Sequence, residues 1–250
     1  MSALPDLITL LVAEPTLVVG YLVFGMIGFG TTLVAAPVLA HVLAVSTVVP
    51  ALALTDFLAA CTNGLRLGPL VARREVLRLV PSMFAGSAFG AWILFSVPVR
   101  TLMLALGVFV VLYALNGLRP KAQKPPLAAA WAWWFGAAGG VLSALFGAGG
   151  WVYSIYLTRR LDDPQQIRAT QTAVLVVSSS IRVGLFTIAG RYFDASLLLL
   201  VLCLLPAMAF GLYLGHHITL RLDRQRFMQV LYGVLLLTGG SLVARALSGA

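Results

Sequence analysis

The chain has 250 residues, of which 60% are hydrophobic and only 10% are charged, and its mean hydropathy is +0.99. A soluble domain carries about 25% charged residues, so this composition excludes a soluble globule and predicts an all-α polytopic membrane protein. The 17 Lys and Arg residues exceed the 8 Asp and Glu residues, and most of the basic ones lie in short loops. The positive-inside rule explains that excess, so the bilayer is the expected partner and nucleic acid is not.

Ten apolar runs follow one another along the chain. They cover residues 15–27, 31–45, 47–66, 76–95, 99–118, 128–146, 150–158, 167–188, 195–215 and 226–247. Six of these runs comfortably reach the length of about 20 residues that a membrane crossing needs. The pair Glu14-Pro15 predicts that the first helix begins at Pro15, since proline suits the first position of a helix.

Three patterns occur once in each half of the chain. They are Gly28-x-Gly30 with Gly147-x-Gly149, Pro81-x4-Gly86-x3-Gly90 with Pro206-x4-Gly211-x3-Gly215, and Arg100-x6-Gly107 with Arg226-x6-Gly233. The charged, proline-rich segment "LRPKAQKPP" separates the halves. We therefore predict an N-terminal transmembrane repeat at 1–118, a cytoplasmic linker at 119–127 and a C-terminal transmembrane repeat at 128–250.

The distribution of basic residues predicts the topology. If every run reverses the chain, twelve basic residues fall on one side and three on the other. The twelve are Arg73, Arg74, Arg78, Arg119, Lys121, Lys124, Arg159, Arg160, Arg168, Arg221, Arg224 and Arg226, and the three are Arg100, Arg191 and Arg245. Counting each glycine-broken pair as one crossing gives eight against seven. The larger bias favours five runs per half, both termini outside, and two inverted repeats, which are typical of transporters.

Glycine clusters interrupt the apolar sequence at 28–30 and at 147–150. Backbone at membrane depth must be hydrogen-bonded unless it is buried in protein or lines a wet cavity. A half-helix that starts after such a break offers free N–H groups and the positive end of its dipole, which favours an anion. We therefore predict Gly-broken or re-entrant helices that bind an anionic substrate, and we expect unusual backbone angles at Gly149. The alternative is close helix packing, where small residues are common. The candidate residues are Gly28, Gly30, Thr31, Thr32, Gly147, Gly149 and Gly150.

Polar residues within the runs extend this candidate site. Arg182 suits an oxyanion because its guanidinium is a planar fork, and its alternatives are pairing with Asp56 or snorkelling to the interface. Asn63, Gln171 and Thr172 are candidate neutral donors, with hydrogen bonding between helices as their alternative role. Asp56 is the one acid well inside a full-length run, which predicts a role in coupling or gating.

Four motifs carry a family resemblance. They are "GFGTTLVAAP" at 28–37, "LFGAGGWVYSIYL" at 145–157, "GRYFDASLLL" at 190–199 and the repeated Pro-x4-Gly-x3-Gly. With these motifs the sequence resembles the TauE/SafE family of sulfite exporters and related anion permeases, over nearly the whole chain. The resemblance implies a transporter of small sulfur-containing anions, such as sulfite, sulfoacetate or other organosulfonates, in the bacterial inner membrane.

The expected function is secondary transport. Export is the favoured direction, because a cytoplasm-negative potential drives an anion outward by about 2.3 kcal/mol per charge per 100 mV. The alternatives are an anion channel, and an importer of another small organic anion coupled to H⁺ or Na⁺. The sequence shows no catalytic constellation and no cluster with metal-ligand spacing, so neither an enzyme, a metal nor another cofactor is expected. A homodimer is left open.

Overall fold

A computed structural model describes residues 6–64, 70–118, 125–218 and 224–248. These ranges contain ten α-helices and no strand. The helices are α1 Leu7–Ile27, α2 Thr31–Leu39, α3 Val45–Gly64, α4 Arg73–Ser96, α5 Val99–Leu118, α6 Ala132–Phe146, α7 Gly149–Leu157, α8 Pro164–Ile188, α9 Ala195–Ile218 and α10 Arg224–Ser248. Short 3₁₀ turns at Ala129–Trp131 and Arg191–Phe193 precede α6 and α9.

Each predicted apolar run corresponds to one of these helices. In the described ranges, eight helices are long and apolar enough to cross a membrane. α2 and α7 have nine residues each, which is about 14 Å of helix against a hydrocarbon core of about 30 Å. The all-helical membrane fold predicted from composition is confirmed, with two helices too short to span.

The predicted start of the first helix at Pro15 is wrong. α1 begins at Leu7 and carries Pro15 in its interior. Residues 7–13 are apolar apart from one threonine, so they continue the helix. Membrane helices tolerate an internal proline, and here the hydroxyl of Thr16 donates to the carbonyl of Val12 at 2.6 Å in the same turn.

Arginines from three segments meet at one end of the helix bundle, which we call the basic end. Arg160 donates to the carbonyl of Leu127 at 3.1 Å and to the carboxylate of Glu75 at 2.9 Å. The N–H of Leu127 in turn donates to the carbonyl of Arg159 at 3.1 Å. The last linker residues, the α7–α8 loop and the start of α4 therefore lie side by side. The arginines at this end are Arg73, Arg74 and Arg78 at the start of α4, Arg159 and Arg160 in the α7–α8 loop, and Arg168 at the start of α8.

Three other arginines join helix ends at the opposite end of the bundle. Arg100 bonds to the last carbonyls of α10, Arg191 bonds to the start of α3, and Arg245 bonds to the turn after α2. The arginines described at the basic end thus all belong to the set of twelve in the charge count, and the three at the opposite end are the set of three.

The chain reverses direction from each helix to the next. α4 begins and α7 ends at the basic end, whereas α2 ends and α3 begins at the opposite end, where the carbonyls of His41 and Ser46 accept bonds from arginines. α9 also begins there, since Tyr192 donates to the carbonyl of Pro50 at 3.0 Å. This alternation agrees with five runs per half. The inverted repeat and the side of the membrane that each end faces stay predictions.

Glycines allow α4 and α6 to pack with their backbones in contact. A methyl group added at Gly86 would collide with the carbonyl oxygen of Ala137, and one added at Gly90 would collide with that of Val141. Close approach of this kind is the usual role of small residues between membrane helices. The Pro-x4-Gly-x3-Gly pattern of the first half therefore serves packing.

The same pattern in the second half makes the equivalent contact between α9 and α1. Added methyl groups at Gly211 and Gly215 would collide with the carbonyl oxygens of Val18 and Leu22. These glycines lie 125 residues after those of α4, and these carbonyls lie 119 residues before those of α6. Both offsets are the ones at which the sequence patterns repeat, so the two pairs of helices correspond. Each pair joins one helix from each half of the chain.

We expect the two ends of α8 to be labelled from different sides of the membrane. Asp162 and Phe193 are exposed before and after α8. In a background with Cys61→Ser and Cys203→Ser, an impermeant maleimide added to intact cells should label Phe193→Cys and leave Asp162→Cys unlabelled until the cells are permeabilised. External labelling of Asp162→Cys in sealed cells would contradict the cytoplasmic assignment of the basic end.

Gly211→Val should lower the thermal stability of the protein in detergent, because the new side chain meets the backbone of α1. Overpacking of this kind costs about 1–3 kcal/mol. Gly86→Val should be as harmful, since it meets the backbone of α6. Gly184→Val is the matched control, because nothing lies within 4 Å of an added Cβ there. Equal melting temperatures for Gly211→Val and Gly184→Val would show that the glycine contact is not needed.

Candidate functional site

Both predicted glycine breaks are helix ends with left-handed backbone. α1 ends at Gly28 with φ 89°, α2 is preceded by Gly30 with φ 110°, and α6 ends at Gly147 with φ 62°. Glycine is the residue that adopts these angles without a steric cost. The unusual angles expected at Gly149 are not found, because it lies in the first turn of α7. Its missing side chain instead makes room for the carbonyl of Gly139 in α6.

The two breaks contact each other. A methyl group added at Gly147 would collide with Thr32, which follows the first break, and one added at Gly150 would collide with the Cβ of Phe29. We call residues 28–32 and 147–150 the junction. The two motifs are 119 residues apart in sequence, and the fold brings them into one place.

Buried polar atoms at the junction lack partners. Thr31 and Thr32 are each 1% exposed in the first turn of α2. The hydroxyl of Thr31 has no hydrogen-bond partner within the described ranges. Gln171 of α8 donates its Nε2 to the carbonyl of Gly150 at 2.8 Å, whereas its Oε1 finds no partner among the described residues. Since buried polar groups are normally paired, this arrangement favours a small polar ligand or ordered water at the junction.

A buried ion pair lies beside the junction. Arg182 Nη2 lies 3.3 Å from Asp56 Oδ2, and the two residues are 4% and 7% exposed. Asp56 also accepts from the hydroxyls of Thr32 at 2.9 Å and Tyr21 at 3.2 Å. Arg182 Nη1 donates to the carbonyl of Ser143 at 3.3 Å. Arg182 was considered as an oxyanion ligand, as a partner of Asp56 or as a residue that snorkels to the interface. The structure contains the pair with Asp56.

Tyr21 and Ser143 belong to this network and were missed in the sequence. Tyr21 lies seven residues before Gly28, and Ser143 lies four residues before Gly147. Tyr21 joins the network through its hydroxyl, and its place two turns before the glycine break is a signal that points to it. Ser143 joins through its backbone carbonyl, which any residue at that position would offer, so no sequence signal points to it.

Two candidates remain, Thr172 and Asn63. Thr172 donates to the carbonyl of Arg168 within its own helix at 3.1 Å. Asn63 belongs to α3, but its side chain lies outside the described residues.

Two cavities lie at opposite ends of the bundle. The basic-end cavity has a volume of about 870 Å³ and extends from Arg168 and His217 to Gly28, Phe29 and Gln171 at the junction. The opposite-end cavity has a volume of about 430 Å³, and its lining includes Ser46, Phe95, Ser96, Ala189 and Arg191. The junction is therefore reached from the basic end.

A second buried acid, Glu75, lies at the basic end. Its carboxylate accepts hydrogen bonds from Tyr156 at 2.5 Å, Arg78 at 2.7 Å and Arg160 at 2.9 Å. The predicted run began at residue 76, whereas α4 begins at Arg73 and carries Glu75 in its first turn. The bond to Glu75 raises the pKa of the Arg160 guanidinium above its ordinary value. This cluster ties the end of α7 to the start of α4.

Comparison with known proteins identifies the family. Residues 15–242 match the sulfite exporter TauE/SafE family. The chain belongs to this family. It is similar to "Probable inner membrane transporter protein TsaS" of Comamonas testosteroni, with 26% identity over 170 residues, which are 68% of this chain and 71% of that protein. No solved structure matches the chain. The protein is thus a membrane transporter of the TauE/SafE family, as the glycine motifs predicted.

Thr31→Val should raise the melting temperature of the protein in detergent without added anion. The change keeps the shape of the side chain and removes a buried hydroxyl without a partner, a group whose burial costs about 1–3 kcal/mol. Thr32→Val is the matched comparison and should lower the melting temperature, because it removes the bond to Asp56. A loss of stability in Thr31→Val equal to that in Thr32→Val would show that the Thr31 hydroxyl is paired.

Proposed function

We propose that this transporter carries small sulfur-containing anions, such as sulfite, sulfoacetate or other organosulfonates, across the bacterial inner membrane. The observation that supports this most directly is the junction. Two nine-residue helices, one from each half of the chain, begin at glycine breaks that touch each other. The description of the relative as an inner membrane transporter supports the location.

The junction offers what a small oxyanion needs. The first-turn N–H groups of α2, and those of Gly149 and Gly150 in α7, are not used within their helices, whereas Trp151 donates to the carbonyl of Ala148 at 3.3 Å. Both helix dipoles present their positive ends there. Three or more sulfur-bound oxygens would accept several such donors at once. The hydroxyl of Thr31 and the Nε of Arg182 are buried donors without partners among the described residues, and a bound oxyanion would satisfy them.

The cavities favour a carrier that exports its substrate. The larger cavity joins the junction to the basic end, which we assign to the cytoplasm, so an anion inside the cell has access to the site. The membrane potential then drives the anion outward without a coupled ion. Buried side chains separate the two cavities, which supports a carrier over an open channel. We infer a transporter and not an enzyme, with the anion and the bilayer as its partners.

Anion binding tests this proposal directly. In detergent, sulfite, sulfoacetate or another sulfonate such as taurine should raise the melting temperature of the protein more than sulfate or a simple carboxylate does. Thr31→Val should weaken binding of the best anion about 10- to 100-fold, as expected when a hydrogen bond of about 1.5–3 kcal/mol to a charged group is lost. Binding isotherms measure this change.

Thr238→Val is the control for that substitution. Thr238 lies in α10, and its hydroxyl bonds to the carbonyl of Val234 in the same helix at 3.0 Å. The control should therefore bind the anion as tightly as the parent protein. If no sulfur anion binds, or if Thr31→Val binds as tightly as Thr238→Val, the junction is not the anion site.

A further inference from the structure

Helix α8 passes both cavities, and one face of it is buried between them. Residues from Pro164 to Thr172 contribute to the lining of the basic-end cavity, and Ala189, just after the helix, lines the opposite-end cavity. Between these positions Ser178, Ser179, Arg182 and Phe186 are buried. An anion that moves along α8 from the junction toward the opposite end therefore meets a closed segment.

The ion pair of Asp56 and Arg182 lies in this closed segment. In the described part of the chain, neither residue lines either cavity. Asp56 comes from α3 in the first half and Arg182 from α8 in the second half, so the pair joins the halves. Thr32 of the junction donates to the same carboxylate oxygen that faces Arg182. The pair is thus positioned between the junction and the opposite-end cavity.

The guanidinium of Arg182 is only partly used by Asp56. Nη2 faces Asp56 at 3.3 Å, which is longer than the 2.7–2.9 Å or so of a good charge-assisted bond. Nε lies on the same edge of the guanidinium and is buried without a partner in the described ranges. Nη1, on the other edge, is held by the carbonyl of Ser143. An oxyanion with two free oxygens would bond to both Nε and Nη2, whereas Asp56 bonds to one of them.

The carboxylate of Asp56 still accepts hydrogen bonds from other donors when Arg182 binds another anion. Its Oδ1 accepts from Tyr21 and its Oδ2 accepts from Thr32, and both of these residues belong to its own half of the chain. The carboxylate and an incoming anion carry the same charge and compete for the same arginine. Occupation of Arg182 by the anion therefore releases the contact between the halves at this depth.

We propose that Asp56 is a resident counter-anion that holds Arg182 and closes the path to the opposite-end cavity, and that the transported oxyanion opens this path by displacing Asp56 from the Nε and Nη2 edge of Arg182. This inference rests on the proposed function, because an oxyanion must first reach the junction. The ligand is a small sulfur oxyanion with two oxygens available on one face, such as sulfite or a sulfonate.

Binding of sulfite to a matched set of variants in detergent tests the competition. Asp56→Asn removes the competing charge and keeps the shape, so it should bind sulfite about tenfold more tightly or better than the parent protein. Arg182→Gln should lose binding. The double variant Asp56→Asn/Arg182→Gln leaves no unpaired charge, so it remains informative where Arg182→Gln alone does not fold, and it should also lack binding. A purely structural Asp56 would instead give weaker binding together with lower stability in Asp56→Asn.

Accessibility of a buried cysteine tests the gate. Ser179→Cys, in a background with Cys61→Ser and Cys203→Ser, places a thiol that is 2% exposed as serine in the closed segment, on the junction side of Arg182. A small impermeant methanethiosulfonate added outside intact cells should react slowly without anion, and at least tenfold faster with sulfoacetate present, a sulfonate that does not itself react with the reagent. In the Asp56→Asn background the fast reaction should occur without sulfoacetate.

The outcomes separate this inference from the function on which it rests. If neither sulfite nor sulfoacetate binds the parent or any variant, both fall. If sulfite binds the parent but Asp56→Asn changes neither its affinity nor the reactivity of Ser179→Cys, the transporter reading stands and the counter-anion role of Asp56 is wrong.

Discussion

Backbone N–H and C=O groups find no water inside a hydrocarbon core, so a helix that ends at that depth needs other partners for its terminal groups. In this protein α1 and α6 end at glycines, and α2 and α7 begin directly after them. The two breaks lie against each other, Gln171 bonds to the backbone of the second, and Thr32 of the first bonds to Asp56. The ion pair of Asp56 and Arg182 lies beside this contact, and the basic-end cavity leads to it.

Most of the fold follows from the length of the apolar runs, because the bilayer fixes how long a spanning helix is. The run predicted at 99–118 is α5, and the short runs beside the glycine clusters are α2 and α7. The start of α1 was wrongly placed at Pro15, because proline interrupts helices in water more reliably than in a membrane, and α1 carries Pro15 in its interior. Glu75 was overlooked because it precedes the apolar run at 76–95. α4 begins before that run, with a charged first turn that contains Glu75.

The candidate site was only partly predictable. The glycine breaks are visible in sequence because two Gly-x-Gly clusters stand at equivalent places in the two halves. Pairing of Arg182 with Asp56 was one of several alternatives, and the sequence does not choose among them, because the pair depends on how α3 and α8 pack across 126 residues of sequence. Gly149 shows the same limit. Its sequence position suggested a strained backbone, and its actual constraint is the neighbouring helix α6.

The glycine contacts between α4 and α6, and between α1 and α9, have a mechanical consequence. Sliding either pair would drive one backbone into the other, so each pair behaves as a rigid body. Each body is a hybrid, since it takes one helix from each half of the chain. We therefore expect the parts that move against one another to be these pairs and not the two sequence repeats. The pairs are joined through α3, which packs on α9, and α8, which packs on α4, and Asp56 and Arg182 lie where α3 and α8 contact each other.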